Sequence, residues 1–264
     1  MKAMLKLSEY QLRDVIRSKW FTFYTLFFVL VSYGSVTFSG NASKVIVILL
    51  NVYIMFIPLA SIVFSNIYFY HNRGNIVFLS TQPIHRDTIF SGIFIGTLIP
   101  TLLGANLGTL LPLLFSDLLA GDSLWNLMLL LLLGTALSTI FISLGFMLAV
   151  LFKDRLKGLV ISVFLWLFMS ALYDLFILMF IRYFQDYPIE NGVLVLTLVN
   201  PIDLARISML SRLDISALMG YTGVIFNEFF SGSFGLYLTL ICLLLWAFIP
   251  FLISIFIFRK QDLT

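Results

Sequence analysis

The sequence has little charge, one cysteine and two histidines. Charged residues make up 11% of its 264 positions and hydrophobic ones 61%, against roughly 25% and about 45–50% in a soluble domain. This excludes a soluble globular fold, a disordered chain and a nucleic-acid-binding module. Cys242 stands alone, which excludes an internal disulfide and any cysteine-based metal motif. The histidines, His71 and His85, fall in one polar segment. There is accordingly no H-E-x-x-H zinc-protease helix and no bis-histidine haem site across two spans. No G-x-x-x-x-G-K-[ST] occurs, so the chain cannot itself cradle ATP phosphates. Intramembrane charges are too few for a proton relay, and a net charge of +3 implies no polyanionic partner. The nine methionines show no i, i+3 or i, i+4 pairing within a span, so they read as gap-filling core residues and not as a Cu(I) pathway. Together these absences argue against an enzyme. A transporter subunit, a channel or an assembly scaffold is left.

What the sequence does have is long apolar runs. A helix crossing a ~30 Å bilayer core needs roughly 20 apolar residues. Six runs qualify, at about 20–43, 45–70, 88–116, 123–152, 158–181 and 235–258. Each must be helical, because a segment in lipid has to satisfy its own backbone hydrogen bonds. None alternates in polarity as the ~10-residue strands of a membrane barrel do. The expected fold is an all-α integral membrane protein, one domain over 1–264 with six transmembrane helices. The first run is too long for a signal-peptide core and no A-x-A site follows it, so it is expected to stay as an anchor.

Orientation follows from the basic residues. With the N-terminus inside, the inner segments hold Lys2, Lys6, Arg13, Arg17, Lys19, Arg73, Arg86, Lys153, Arg155, Lys157, Arg259 and Lys260. The outer ones hold Lys44, Arg182, Arg206 and Arg212. Twelve against four places both termini in the cytosol.

The segments between the spans differ in character. Residues 1–19 carry Leu5, Leu12, Val15 and Ile16 on one helical face with basic residues elsewhere, the pattern of an interfacial helix or of a topology signal alone. The inner segment 71–87 encloses Ile76, Val77, Phe78 and Leu79 between polar flanks, punctuated by Gly74 and Pro83. It either packs against a partner or dips into the headgroup layer. The turn Lys153–Lys157 can serve topology alone. The outer segment 182–234 is the largest polar region. Asn200, Pro201 and Asp203 form a helix start, with asparagine as cap, proline at the first helical position and an acid near the positive dipole end. Asp214 can cap a second short helix. Short helices on the outer surface or dipping into the membrane suit a docking platform, a lid or a plain shield.

Two features lie inside the membrane. The third span carries Gly92, Gly96, Pro100, Gly104 and Gly108 on one i+4 series. The paired G-x-x-x-G allows close helix approach, and Pro100 can kink the helix. Asp174 is the only acid well within a span, ~24 Å from Gly158 at 1.5 Å per residue. An intramembrane carboxylate marks a functional site or a structural ion pair; its nearest basic residue along the chain is Arg182.

The motifs resemble a known family. The six-span plan is similar to permeases of the ABC-2 type. Glu9, Arg13, Asp14, Lys19 and Trp20, in E-Y-Q-L-R-D-x-x-x-x-K-W, resemble that family's N-terminal interfacial helix. The run R-G-N-I-V-F-L-S-T-Q-P-I-H-R resembles its E-x-G-T-x-x-x-L-x-x-Q-P-V-x-R pattern, with His71 and Asn72 standing where acids are usual. The resemblance implies that Arg73, Gly74, Asn75, Ile76, Val77, Phe78, Leu79, Gln82, Pro83 and Arg86 form a coupling helix that enters a groove on a separate ATPase. The runs Asp154–Asp174, Leu198–Ile207 and Ser216–Gly223 are similar to the NosY-type branch, the permeases of the ABC system that matures nitrous oxide reductase in denitrification. That branch implies a homodimer in the bacterial inner membrane with two copies of a cytosolic ATPase. It also implies a periplasmic β-helical partner docked on the outer helices (Asn200, Pro201, Asp203, Arg206, Asp214) and service to a copper–sulfur centre. ATP and magnesium would sit in the ATPase, with no cofactor or metal held by this chain.

Overall fold

The computed structural model describes residues 2–116, 122–184, 190–213 and 233–261. They are helical throughout, with no strand among the described residues. In chain order the helices are α1 (Lys2–Arg17), α2 (Lys19–Ser39), α3 (Ala42–His71), α4 (Arg73–Ser80), α5 (Arg86–Leu114) and α6 (Asp122–Leu151). Then come α7 (Arg155–Leu167), a π-helical turn (Phe168–Leu172), α8 (Tyr173–Tyr183), α9 (Glu190–Val199), α10 (Pro201–Arg212) and α11 (Ser233–Lys260). Six are long and apolar enough to cross a membrane: α2, α3, α5, α6, the α7–α8 rod and α11. This is the all-α six-span membrane architecture expected from the apolar runs.

Local chemistry sets the breaks. Ser18 accepts a hydrogen bond from the Phe21 N–H at 3.2 Å and donates to the Val15 carbonyl at 2.6 Å, which separates α1 from α2 without glycine or proline. Between α2 and α3, Gly40 takes a left-handed φ of 58° and Asn41 caps α3 by accepting from the Ser43 N–H at 2.9 Å. The sequence puts the break at Lys44, whereas Lys44 already lies in the first turn of α3. A charge marks where water begins and not where a helix ends. Asp154 likewise caps α7, so Arg155 and Lys157 are helical and the turn is only 152–154.

Three spans form the centre. The most apolar stretches of α3, α5 and α6 are 61%, 61% and 67% buried, whereas α2 and α11 reach 22% and the α7–α8 rod only 6%. Small residues let the centre close. A Cβ on Gly145 of α6 would overlap Ser65 Oγ and come within 2.7 Å of the Ile62 carbonyl, both on α3; one on Gly134 would overlap the Tyr53 ring. The glycine ridge of α5 receives its own chain. Gly92 and Gly96 meet Leu7 and Gln11 of α1, and Gly104 and Gly108 meet Tyr24, Thr25 and Phe28 of α2. Thus α1 and α2 run side by side with α5 in the same direction. Of the apolar stripe expected on α1, Val15 is buried and Leu12 half-buried, but Ile16 is 37% exposed, and Gln11 is buried because it meets Gly96.

The phenylalanines gather into two cores. One, at the end of the bundle that carries α4, joins Phe69 of α3, Phe90 and Phe94 of α5, Phe146 of α6 and Phe251 and Phe258 of α11 through edge-on and tilted contacts. The other fills the rest of the bundle around Tyr24, Phe28 and Tyr53.

At the opposite end, α9 and α10 meet at a bend of 114°. A pair bent so sharply at Asn200 cannot cross as one rod. Nine of the twelve residues of α10 are buried, against α3, α6 and α11. The sequence reading, short helices on the outer surface or dipping into the membrane, did not include this packing of α10 into the bundle itself.

Candidate functional site

The α4 end and the α10 end each hold a cluster of the singled-out residues, and α5 holds the glycines. At the first end, α4 begins immediately after α3: the Asn72 N–H and Nδ2 both donate to the Tyr68 carbonyl. Its helical period then sorts the expected coupling residues. Ile76 is buried in the phenylalanine cluster. Arg73, Val77, Leu79 and Arg86 are half-buried. Gly74, Asn75, Phe78, Gln82 and Pro83 are exposed, with Phe78 at 65%. Within α4, Gly74 and Phe78 share one exposed face at i+4, while Gln82 and Pro83 lie in the turn that follows the helix. Beside it a groove of about 520 Å³ lies between α1, α4 and α5, lined by Leu7, Tyr10, Gln11, Asn75, Phe78, Leu79, Ile84 and Thr88.

This end is braced from several directions. Arg73 donates to the Lys153 carbonyl at 2.9 Å, tying α4 to the α6–α7 turn. The Tyr70 hydroxyl reaches the Phe152 and Asp154 carbonyls of the same turn. Arg86 donates to the carbonyls of Arg259 at 3.0 Å and Gln261 at 2.7 Å, and Arg259 pairs with Asp87. Tyr68 bonds Gln11 of α1 and, at 3.2 Å, Asp14. Glu9 and Arg13 form an exposed ion pair at 2.6 Å, worth little by itself. The chain ends described, α1 and the foot of α11, therefore both sit beside α4. The turn 152–154 has a structural task that its charges did not announce: it is where α4 is fastened. Tyr68, Tyr70 and Gln261 were missed in the sequence. The available signal was a pair of tyrosines at the end of a span, the usual place for amphipathic rings.

At the second end, Asp174 pairs with Arg206 of α10 and not with its neighbour in sequence, Arg182. Two hydrogen bonds, 3.0 Å from Nη1 and 2.9 Å from Nη2, make the contact bidentate. Arg206 Nη2 also reaches Asp203 at 2.9 Å. Asp203 accepts from Asn200 Nδ2 at 2.8 Å, and Asn200 Nδ2 donates to the Met169 carbonyl in the π-turn at 2.7 Å. Asn200 Oδ1 caps α10 through the Ile202 N–H at 3.1 Å, as the Asn-Pro start predicts. Tyr173 donates to the Leu196 carbonyl at 2.7 Å. Three of the five residues expected to dock an outer partner thus bind one another: Asn200 and Asp203 are buried and Arg206 is half-buried, and Pro201 beside them is buried as well. Their polarity looked like exposure although Asn200, Asp203 and Arg206 pair at i+3; the remaining partners, Met169 and Asp174, are distant in sequence. Asp214 and the run Ser216–Gly223 lie outside the described residues.

No group of three or more histidine, cysteine, aspartate or glutamate residues able to hold a metal occurs among the described residues. The braced centre, the exposed α4 face and the inward-bent α9–α10 pair belong to a chain with six helices long and apolar enough to cross a membrane. The family described as ABC-2 family transporter protein matches residues 41–263, and the chain belongs to it. It is therefore the membrane permease part of an ABC transporter, a class that works with an ATPase subunit. No curated protein matches the chain.

Proposed function

We propose that α4 receives force from a separate cytosolic ATPase and that the α7–α8 rod carries it to α9–α10. The observation that carries this reading is the exposed α4 face, with Phe78 outward and Ile76 anchored inward. An apolar ring held on a braced helix beside an open groove is suited to insertion into a partner. The rod is the natural moving part. It is the barest span, fastened to α4 through the turn at Lys153 and to α10 through Asp174 and the Met169 carbonyl. By contrast α5, the helix expected to bend, is gripped along its glycine ridge by α1 and α2. The arrangement would place α4 and both chain ends in the cytosol, in keeping with twelve basic residues against four. The chain would act as a homodimer in a bacterial inner membrane.

The particular process we propose is assembly of the copper–sulfur centre of nitrous oxide reductase, with a periplasmic β-helical partner on the outer face. Support for it is the resemblance of residues 154–174 and 198–223 to NosY-type permeases. A second reading, export of a small or lipid-like substrate without a periplasmic partner, has one observation in its favour. An apolar groove of about 340 Å³ lies between the end of α9 and α11, lined by Leu198, Val199, Cys242, Leu245, Trp246, Ile249 and Pro250. Family membership removes a third reading, a channel or scaffold outside the ABC class.

The test is a mild-detergent pull-down of tagged chain from its native membrane, with mass spectrometry of what is captured. An ATPase with a periplasmic repeat protein is the expected result. An ATPase alone favours the exporter. Neither, from a particle shown to be intact, overturns the coupling reading.

A further inference from the structure

Several buried hydroxyls of the spans follow one habit. Thr97, Thr101 and Thr109 of α5, Ser143 of α6, Ser162 of α7 and Ser254 of α11 each donate to the carbonyl four residues earlier. A hydroxyl in a hydrocarbon-embedded bundle has no bulk water to turn to, so its own helix supplies the partner. Ser61 of α3 and Ser138 of α6 break the habit. Both are fully buried, and neither hydroxyl has a hydrogen-bond partner among the described residues. A serine that forgoes the bond to its own helix is turned toward something else.

That direction holds a tyrosine. Tyr24 of α2 is buried, its ring edge-on to Phe28, and its hydroxyl lies beside both Ser61 and Ser138. It too has no hydrogen-bond partner among the described residues. Three helices thus bring one hydroxyl each to a common point, and no hydrogen bond joins any two of them. Tyr53 provides the contrast. Its ring is equally buried and edge-on to the same Phe28, yet its hydroxyl bonds Thr109 directly at 2.8 Å. Leaving three such groups unpaired would cost free energy at each one.

The unmet capacity fits one small neutral ligand. Each hydroxyl can donate once and accept, and a buried water makes about three hydrogen bonds to groups that otherwise lack them. None of the three side chains carries a charge, so the set does not suit a cation, and a lipid tail has no donor or acceptor to offer.

We propose that a single water molecule binds among Tyr24, Ser61 and Ser138 and joins α2 to the α3–α6 pair. Because a water can turn and exchange one partner for another, it holds α2 to the centre while that helix shifts.

The experiment is hydroxyl-radical footprinting of the full chain in lipid nanodiscs. Brief X-ray pulses generate radicals from bound water in place, and tandem mass spectrometry locates the oxidised tyrosines. Tyr53, buried but directly paired, is the internal reference. The expected result is oxidation of Tyr24 at least about tenfold faster than Tyr53, since a water touches only the first. In the Ser61→Ala, Ser138→Ala double variant the Tyr24 rate should fall to that of Tyr53. Radicals made from peroxide in the bulk solution should leave Tyr24 unlabelled. Equal rates at Tyr24 and Tyr53 in the unaltered chain would overturn the proposal. Labelling of Tyr24 by bulk radicals would do the same, because it means open access and not a bound water. A Tyr24 label that persists in the double variant would also overturn it.

Discussion

The two ends of the bundle are held by different chemistry. At the α4 end, many modest contacts converge. Arginine and tyrosine side chains satisfy the carbonyls of helix ends, and a box of phenylalanines joins α3, α5, α6 and α11. No one contact dominates there. At the α10 end, one charged network joins the rod to α10, and Arg206 is its centre. The α4 end should tolerate single losses and hold its shape under load. At the α10 end the joint between the rod and α10 should loosen at a single residue, while α10 itself stays packed on α3, α6 and α11. A part that takes force needs the first property; a joint that changes state can use the second.

Arg206→Ala should have the largest effect. It leaves Asp174 and the buried Asp203 without their cation, and breaking a buried pair costs about 3–5 kcal/mol. Because the pair is a third exposed, the lower end is expected, about 3 kcal/mol. The measurement is unfolding in detergent, and the loosening should appear first as faster hydrogen exchange in α10. Next comes Gly145→Ala in the centre, where the added methyl meets Ser65 and the Ile62 carbonyl. Overpacking of this kind costs about 1–3 kcal/mol, read as a lower unfolding midpoint with no site-specific exchange. Third is Arg73→Ala, which removes one hydrogen bond to the Lys153 carbonyl, worth about 1 kcal/mol. Exchange should rise in α4 while the midpoint barely moves. If Arg73→Ala proved as damaging as Arg206→Ala, the contrast between the ends would fail.

Much of the fold was legible because hydrocarbon imposes few solutions. An uncharged run of sufficient length must be a helix, so six spans could be counted. Their ends were less legible, since Gly40 and Asn41, and not Lys44, decide where α2 stops. The α4 site was visible as an apolar run in a polar segment, but its two faces were not. Ile76 and Phe78 are equally apolar in sequence, and only the position of the core says which is anchored. The network at the other end was hidden for a further reason. Asp174 and Arg206 are separated by one helix, α9, and a bend, so sequence neighbourhood pointed to Arg182. The inward fold of α10 was masked in the same way, because Asn200, Asp203 and Arg206 satisfy one another and need no water.

The smallest expected effect on stability falls at the residue of greatest expected consequence. Phe78 touches little within the chain, so Phe78→Asp should shift stability by no more than about 0.5 kcal/mol, as surface changes do. Ile76→Asp, which buries an unpaired carboxylate in the phenylalanine cluster and does not merely remove a contact, should by comparison lower the melting point. The most direct test is to capture the ATPase from native membranes with the Phe78→Asp chain and with the unaltered chain, and to compare their melting. The account predicts that the variant melts with the unaltered chain and captures no ATPase. A variant that melts normally and still captures the ATPase at full stoichiometry would contradict it.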